Sequence, residues 1–168
     1  MANKDYIIEG NVWKVGNNVN TESIEPSHWQ QAGPEALMEH IAELLIPDFP
    51  KKMKADDIWV AGSNLGCSSS RNAAASLKRK GIGAVICHSA SRIFYRNSIN
   101  SALPIFEVGN EVEKIKMGDR VRVNARTGKI EDLTTGATIQ AKPLPDFLMA
   151  IIDAGGLRKK IAREYQLQ

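Results

Sequence analysis

Two uninterrupted apolar runs, Ile58-Trp-Val-Ala61 and Ala84-Val-Ile-Cys87, stand out against a mostly mixed sequence. Short unbroken runs of this kind predict strands buried on both faces. The first enters a turn at Gly62 to Gly66. It is followed by helical spacing from Asn72 to Lys80, with Ala73-Ala-Ala75 and Leu77 apolar and Gly81 as a C-terminal stop. The second leads to a predicted helix from Ser91 to Asn100, with Ile93, Phe94 and Ile99 facing inward and Arg92, Arg96 and Asn97 outward. A short edge strand, Leu103-Pro-Ile-Phe106, comes next. Strands alternating with helices in this way predict a parallel core.

The flanks carry other periods. Tyr6 to Val15 reads as a strand or hairpin with a bend at Gly10-Asn11. Residues 16–33 are polar and turn-rich; with few apolar anchors, that loop is expected to be mobile until a partner orders it. Pro34 opens a helix whose apolar positions, Leu37, Ile41, Leu44 and Leu45, continue to Pro47 and Pro50. Beyond Gly109 the pattern alternates in Arg120–Asn124 and Ala137–Ala141, with turns at Thr127-Gly128 and Thr135-Gly136, which predicts antiparallel strands of a barrel or ribbon. A last helix runs from Asp146 to Asp153, pauses at Gly155-Gly156 and resumes to about Tyr165. The expected fold class is α/β in a single domain over residues 1–168: a parallel core sheet with flanking helices plus antiparallel barrel-like strands.

Composition narrows the function classes. The 168 residues carry a net charge of only +3, with acids and bases interspersed, so no nucleic-acid footprint is expected. The basic tail Arg158-Lys-Lys160 with Arg163 reads as a solvated helix face. No apolar run is long enough for a membrane helix, and the N-terminus lacks the apolar core of a signal peptide. Two cysteines, Cys67 and Cys87, make a poor disulfide framework and suit a cytoplasmic, reducing location.

The chemistry-bearing stretch is Gly62-Ser-Asn-Leu-Gly-Cys-Ser-Ser-Ser-Arg71. It lacks the Gly-Lys-Ser/Thr ending of a P-loop and the dinucleotide glycine fingerprint. A turn feeding a helix start nonetheless aims N–H groups and a positive dipole at a bound anion. Hydroxyls and one guanidinium beside it suit a carboxylate or a phosphate. The alternative is a capped helix with incidental serines. A serine-hydrolase reading has no Gly-x-Ser-x-Gly elbow and only His28, His40 and His88 as bases, of which His40 lies in a helical pattern and reads as structural. Two cysteines cannot supply the thiolates of an iron–sulfur cluster, and no zinc spacing is present. Cys67 sits at the turn, where partial reactivity is expected; Cys87 ends an apolar strand and reads as an inert core thiol.

Four ordered motifs together resemble one family. Asn17-Asn-Val-Asn-Thr-Glu-Ser-Ile-Glu-Pro26 resembles its Asn-Val-Asp-Thr-Asp-x-Ile-Ile-Pro. The stretch Gly62 to Arg71 resembles its Gly-x-Asn-Phe-Gly-Cys-Gly-Ser-Ser-Arg. Arg92-Ile-Phe-Tyr-Arg-Asn97 and Ala154-Gly-Gly-Leu157 also match. Over nearly its whole length the chain resembles the small subunit of isopropylmalate dehydratase, the swivelling β/β/α domain of the aconitase superfamily, in the compact form shared with homoaconitase small subunits.

The resemblance implies a hydro-lyase of two polypeptides, whose large catalytic subunit carries a 4Fe-4S cluster with iron as Lewis acid, while this chain binds no metal. It implies Ser69 as the general base. It implies Ser70 and Arg71, with Ser68 beside them, as the groups holding a carboxylate of a small dicarboxylate or tricarboxylate substrate. The sequence departs from the family pattern at Asn20, Glu22, Glu25, Ser68, Asn72 and Ala73. The family's specificity is expected in the loop after the first motif, here Ser27-His-Trp-Gln-Gln-Ala-Gly33, so His28, Trp29, Gln30 and Gln31 are candidate specificity residues. This loop has no Lys or Arg to pair with a distal carboxylate, and burying one unpaired is costly. A neutral or apolar substituent, as in isopropylmalate, is therefore expected over homocitrate. The alternatives are a homoaconitase-type or other branched-diacid hydratase subunit, or a non-catalytic paralogue of the same fold. Trp29 reads equally as apolar wall or as local packing.

Overall fold

The structure is a computed structural model that describes residues 5–68 and 71–166. Its elements, in order, are β1 (Ile7–Lys14), α1 (Thr21–Ile24), α2 (Ser27–Ala32), α3 (Pro34–His40), α4 (Phe49–Lys52), β2 (Ile58–Ala61), α5 (Ala73–Lys80) and β3 (Ala84–Cys87). Then come α6 (Arg92–Asn100), β4 (Ile105–Glu107), a 3-10 turn (Gly109–Lys114), β5 (Arg120–Asn124), β6 (Lys129–Asp132), β7 (Thr138–Gln140), α7 (Asp146–Asp153) and α8 (Leu157–Glu164). The strands form one sheet in the order β4-β3-β2-β1-β5-β6-β7. Its first half is parallel and its second half antiparallel, as the α/β reading with an antiparallel barrel-like portion predicts.

β1 belongs to both halves. Ile7 to Asn11 pair antiparallel with β5, and Val12 to Lys14 pair parallel with β2. The expected bend or hairpin at Gly10-Asn11 is thus a single strand that changes partner there. The buried carboxylate of Asp57 seals the seam: it accepts from Asn11 N–H at 3.0 Å, Trp13 Nε1 at 2.8 Å and Lys54 N–H at 2.8 Å. Gly10 is required because a Cβ would lie 2.3 Å from the Asp56 carbonyl oxygen.

The apolar runs behave as their pattern predicts, since every residue of β2 and β3 is buried. α5 packs on α6 and α6 on α7. Trp59, Phe49, Phe94 and Phe106 are the largest buried side chains. Among the described residues no helix is long and apolar enough to cross a membrane.

Several expectations are corrected. The helix from Pro34 ends at His40, not at Leu45: Ile41 is extended and Ala42 has φ 56°. This break drops Ile41 and Ala42 into the core, where Ala42 N–H bonds the Ile24 carbonyl at 2.9 Å, and it leaves Leu44 exposed. Residues 16–33 hold α1 and α2 and have real anchors, since Val19 and Ile24 are buried; the premise of the mobility expectation therefore fails. Ile93 is exposed rather than inward, while Phe94 and Ile99 are buried as expected. β6 fills the interval between the two predicted turns, and the strand expected at Leu103–Phe106 lies at Ile105–Glu107.

Candidate active site

The carboxyl ends of β1, β2 and β3 converge on the stretch that follows β2, the edge at which open α/β sheets bind ligands. Gly62 N–H bonds the Gly16 carbonyl at 3.0 Å, Asn18 N–H the Ser63 carbonyl at 2.8 Å, and Gly66 N–H the Val19 carbonyl at 2.7 Å. On the other flank, Leu65 N–H bonds the Ser89 carbonyl at 3.0 Å and Ser91 N–H the Leu65 carbonyl at 2.8 Å. Isolated bridges join Asn20 to Cys67 and Leu65 to Ala90. The loop is thus laced between two neighbours like a short extra strand.

Local chemistry explains the motif letters. Asn17 Oδ1 accepts the Ser63 N–H at 2.7 Å and fills the space that a Cβ on Gly62 would need. Asn18, Asn64 and Ser68 all have left-handed φ, at 54°, 58° and 60°. That region costs an ordinary L-residue about 1–2 kcal/mol, which accounts for a glycine in the resembled pattern where this chain has Ser68. The Ser68 side chain is exposed. Asn20 caps α1 by accepting from Ser23 N–H at 2.8 Å, and Asn72 caps α5 by accepting from Ala75 N–H at 3.2 Å. Two of the departures are therefore competent helix caps.

Arg71 is the one cation of this loop among the described residues, and it is strongly engaged. Its Nη1 forms an ion pair with Glu22 and donates to the Glu25 carbonyl at 3.3 Å, while Nη2 donates to Ser27 Oγ at 2.6 Å. Ser27 in turn donates its N–H and Oγ–H to Glu22 Oε1, at 2.9 and 2.8 Å. The second motif is thereby clasped to the start of α2, the segment expected to set specificity. Ser69 and Ser70, the expected base and carboxylate holder, lie outside the described residues.

Glu25 replaces an isoleucine of the resembled pattern and is only 4% exposed. Its Oε1 accepts from Ser76 Oγ, and among the described residues its Oε2 has no partner. Burial pushes this carboxyl above its ordinary value of 4.5, against the smaller opposing effect of the Ser76 hydrogen bond. Well below pH 4.5 the carboxyl is protonated in folded and unfolded chains alike. As pH rises the unfolded chain releases its proton first, so the folded state loses stability through and above that range. Glu25→Gln is therefore expected to gain on the wild type as pH rises from about 4 to about 8. The gain should be about 1–3 kcal/mol, the cost of one unsatisfied buried polar group. Urea midpoints across that range check it; a difference independent of pH would refute it.

The candidate specificity residues do not form one wall. Trp29 stacks on His40 at 3.6 Å with rings 3° apart, and its Nε1 donates to Glu43 Oε1 at 2.7 Å. His40 Nδ1 meets the other Glu43 oxygen at 2.7 Å. Trp29 is thus held by local packing, the second of its two sequence readings, and His40 is structural as expected. His28, Gln30 and Gln31 are exposed. Sequence reasoning missed Glu22 and Ser27 as partners of Arg71; the only signal was that Glu22 is a departure within the first motif. Cys67 is half-buried, with Sγ–H directed at the Asn18 carbonyl at 3.4 Å. The buried Cys87 thiol is pushed up to about 12 by burial and by Glu107, which makes it inert. Among the described residues no group of three or more His, Cys, Asp or Glu side chains is placed to hold a metal ion.

Residues 1–111 match the family model of the aconitase C-terminal domain. The chain is 48% identical over 162 residues to an isopropylmalate/citramalate isomerase small subunit of Methanocaldococcus jannaschii, covering 93% of this chain and 96% of the relative. It is 42% identical over 160 residues to 3-isopropylmalate dehydratase small subunit 1 of Methanopyrus kandleri, covering 94% of each. The crystal structure of a 3-isopropylmalate dehydratase from Methanocaldococcus jannaschii superposes with a TM-score of 0.88 at 35% identity, over 97% of this chain and 98% of that one. The chain belongs to the family of isopropylmalate dehydratase and isopropylmalate/citramalate isomerase small subunits, hydro-lyase subunits built on the aconitase C-terminal domain.

Proposed function

We propose that this chain supplies half of the active site of a two-subunit hydro-lyase that moves the hydroxyl of a substituted malate, 2-isopropylmalate to 3-isopropylmalate, through an alkene diacid. The observation that carries this reading is Arg71 at the carboxyl ends of the parallel strands, clasped to the first turn of α2. A guanidinium there is suited to a substrate carboxylate, which it can hold through two parallel N–H···O bonds. Ser70 shares that carboxylate. Ser69 takes the proton from the carbon beside it, the hydroxyl on the neighbouring carbon leaves as water, and re-addition with the opposite regiochemistry completes the isomerisation. A serine becomes a competent base only when a nearby cation stabilises its alkoxide, and Arg71 is that cation.

The two cysteines of this chain do not fit an iron–sulfur cluster, because Cys87 is sealed in the core and one thiol remains. The cluster is assigned to the large subunit, where its iron supplies a Lewis acid for the substrate hydroxyl.

The substituent is small and uncharged: α2 offers His28, Gln30 and Gln31 but no Lys or Arg. The likeness to a relative named for isopropylmalate and citramalate favours citramalate as a second substrate of the same reaction. The test is anaerobic reconstitution with the large subunit, followed by assay of alkene diacid formation. Turnover is expected with isopropylmalate and citramalate and not with homocitrate. Preferred turnover of homocitrate, or no turnover of any of the three, would overturn the assignment.

A further inference from the structure

The guanidinium assigned to the substrate already holds a carboxylate of its own chain. Glu22 pairs with Nη1 of Arg71, and Ser27 Oγ takes Nη2 at 2.6 Å. Ser27 completes the ring by donating to Glu22 Oε1 at 2.8 Å and lying 2.9 Å from Oε2. One carboxylate and one hydroxyl thus cover the two-nitrogen edge of the guanidinium, the edge on which an arginine receives a carboxylate in two parallel bonds. Glu22 is half exposed, so its side chain can leave the guanidinium for solvent.

From this we infer that Glu22, held in place by Ser27, is an internal stand-in for the substrate carboxylate and determines how tightly Arg71 binds substrate. The inference rests on the assignment of Arg71 to a substrate carboxylate. An incoming carboxylate must displace Glu22 or share the guanidinium with it, and like charges packed side by side repel. Glu22 therefore lowers affinity for any diacid, and Ser27 reinforces that by aligning Glu22 with the fork. Because Ser27 is also the first residue of α2, the same contact ties occupancy of Arg71 to the segment bearing His28 to Gln31.

The direction of the effect separates this role from a merely structural one. If Glu22 only braced Arg71, its loss would loosen the guanidinium and weaken binding. As a stand-in, its loss opens that edge of the guanidinium and strengthens binding. The experiment uses the reconstituted two-subunit enzyme and titrates succinate, a diacid that cannot be dehydrated, by calorimetry, so turnover is not needed. Glu22→Gln is expected to tighten the succinate Kd about three- to ten-fold, the range of a partly exposed charge pair. Ser27→Ala, which changes no charge, is expected to tighten it about two- to four-fold, and Glu22→Asp is expected to fall between wild type and Glu22→Gln. Unchanged or weaker binding in Glu22→Gln overturns the proposal. Arg71→Ala distinguishes the underlying reading: if it retains wild-type succinate affinity, Arg71 is not the carboxylate anchor. If Arg71→Ala loses binding and Glu22→Gln does not tighten it, the anchor stands and the stand-in role falls.

Discussion

Ser69→Ala, reconstituted with the large subunit, is expected to lower kcat about 10²- to 10⁴-fold, the usual contribution of a positioned general base. KM should change little, because the carboxylate anchor proposed at Arg71 is left in place, and an interaction made only in the transition state appears in kcat and kcat/KM together. The proton to be removed sits beside a carboxylate and is weakly acidic, so the base must be strong. A serine hydroxyl is strong only as alkoxide, and the cation proposed to stabilise it, Arg71, lies two residues further along the chain. Moving or neutralising that cation should reproduce part of the loss: Arg71→Lys keeps the charge but not the fork, and should damage KM more than kcat. Rates are read as initial velocities of alkene diacid formation under anaerobic conditions, with subunit association checked by sedimentation. A kcat for Ser69→Ala within a few-fold of wild type removes Ser69 as the base.

The sequence made the parallel half of this fold legible because its strands are buried on both faces. Nothing polar interrupts Ile58–Ala61 or Ala84–Cys87, and Gly81 closes α5 as the C-terminal stop its position predicts, with φ 120°. Local pattern failed where tertiary contacts override it. Ile41 continues a helical period in sequence, yet the chain leaves the helix there, burying Ile41 and Ala42 and bonding Ala42 N–H to the Ile24 carbonyl. The break at Gly10-Asn11 was visible, but its cause, a strand that changes partner beside Asp57, depends on residues 46 positions away. The site divides the same way. Ser68 and Arg71 were found as part of one short motif. The Glu22–Ser27 clasp was not, because it joins Arg71 to residues 44 or more positions earlier, and no spacing rule encodes that contact.

Gly66→Ala is expected to lower unfolding stability by about 2–5 kcal/mol, adding the cost of a left-handed alanine to that of overpacking a core. Gly66 has φ +75°, and a Cβ there would lie 2.4 to 2.5 Å from Cβ, Cγ and Cδ2 of Phe94. Neither partner can yield easily. Phe94 is buried on α6, whose cap Ser91 donates its hydroxyl to the Gly66 carbonyl at 2.8 Å. Gly66 N–H is fixed to the Val19 carbonyl at 2.7 Å. Against a typical total of about 5–15 kcal/mol, this loss is visible directly as a shifted urea midpoint. The double variant isolates the contact. Phe94→Ala alone leaves a cavity costing about 3–5 kcal/mol; it removes the ring atoms that the added methyl group would strike but keeps Cβ, the nearest contact at 2.4 Å. In that background Gly66→Ala should cost less than in the wild type, because the ring contacts are gone, but more than the backbone part of about 1–2 kcal/mol, because the Cβ contact stays. Additive effects would show that Phe94 is not what forces glycine here. Activity should fall further than stability accounts for, because any relief of the clash moves the loop that leads to Arg71, and a shift of about 1 Å in a positioning group costs on the order of 10² in rate. The glycine thus acts on the loop through packing: the core side chain of α6 limits how close the loop can approach, and the loop leads to the guanidinium proposed to hold the substrate carboxylate.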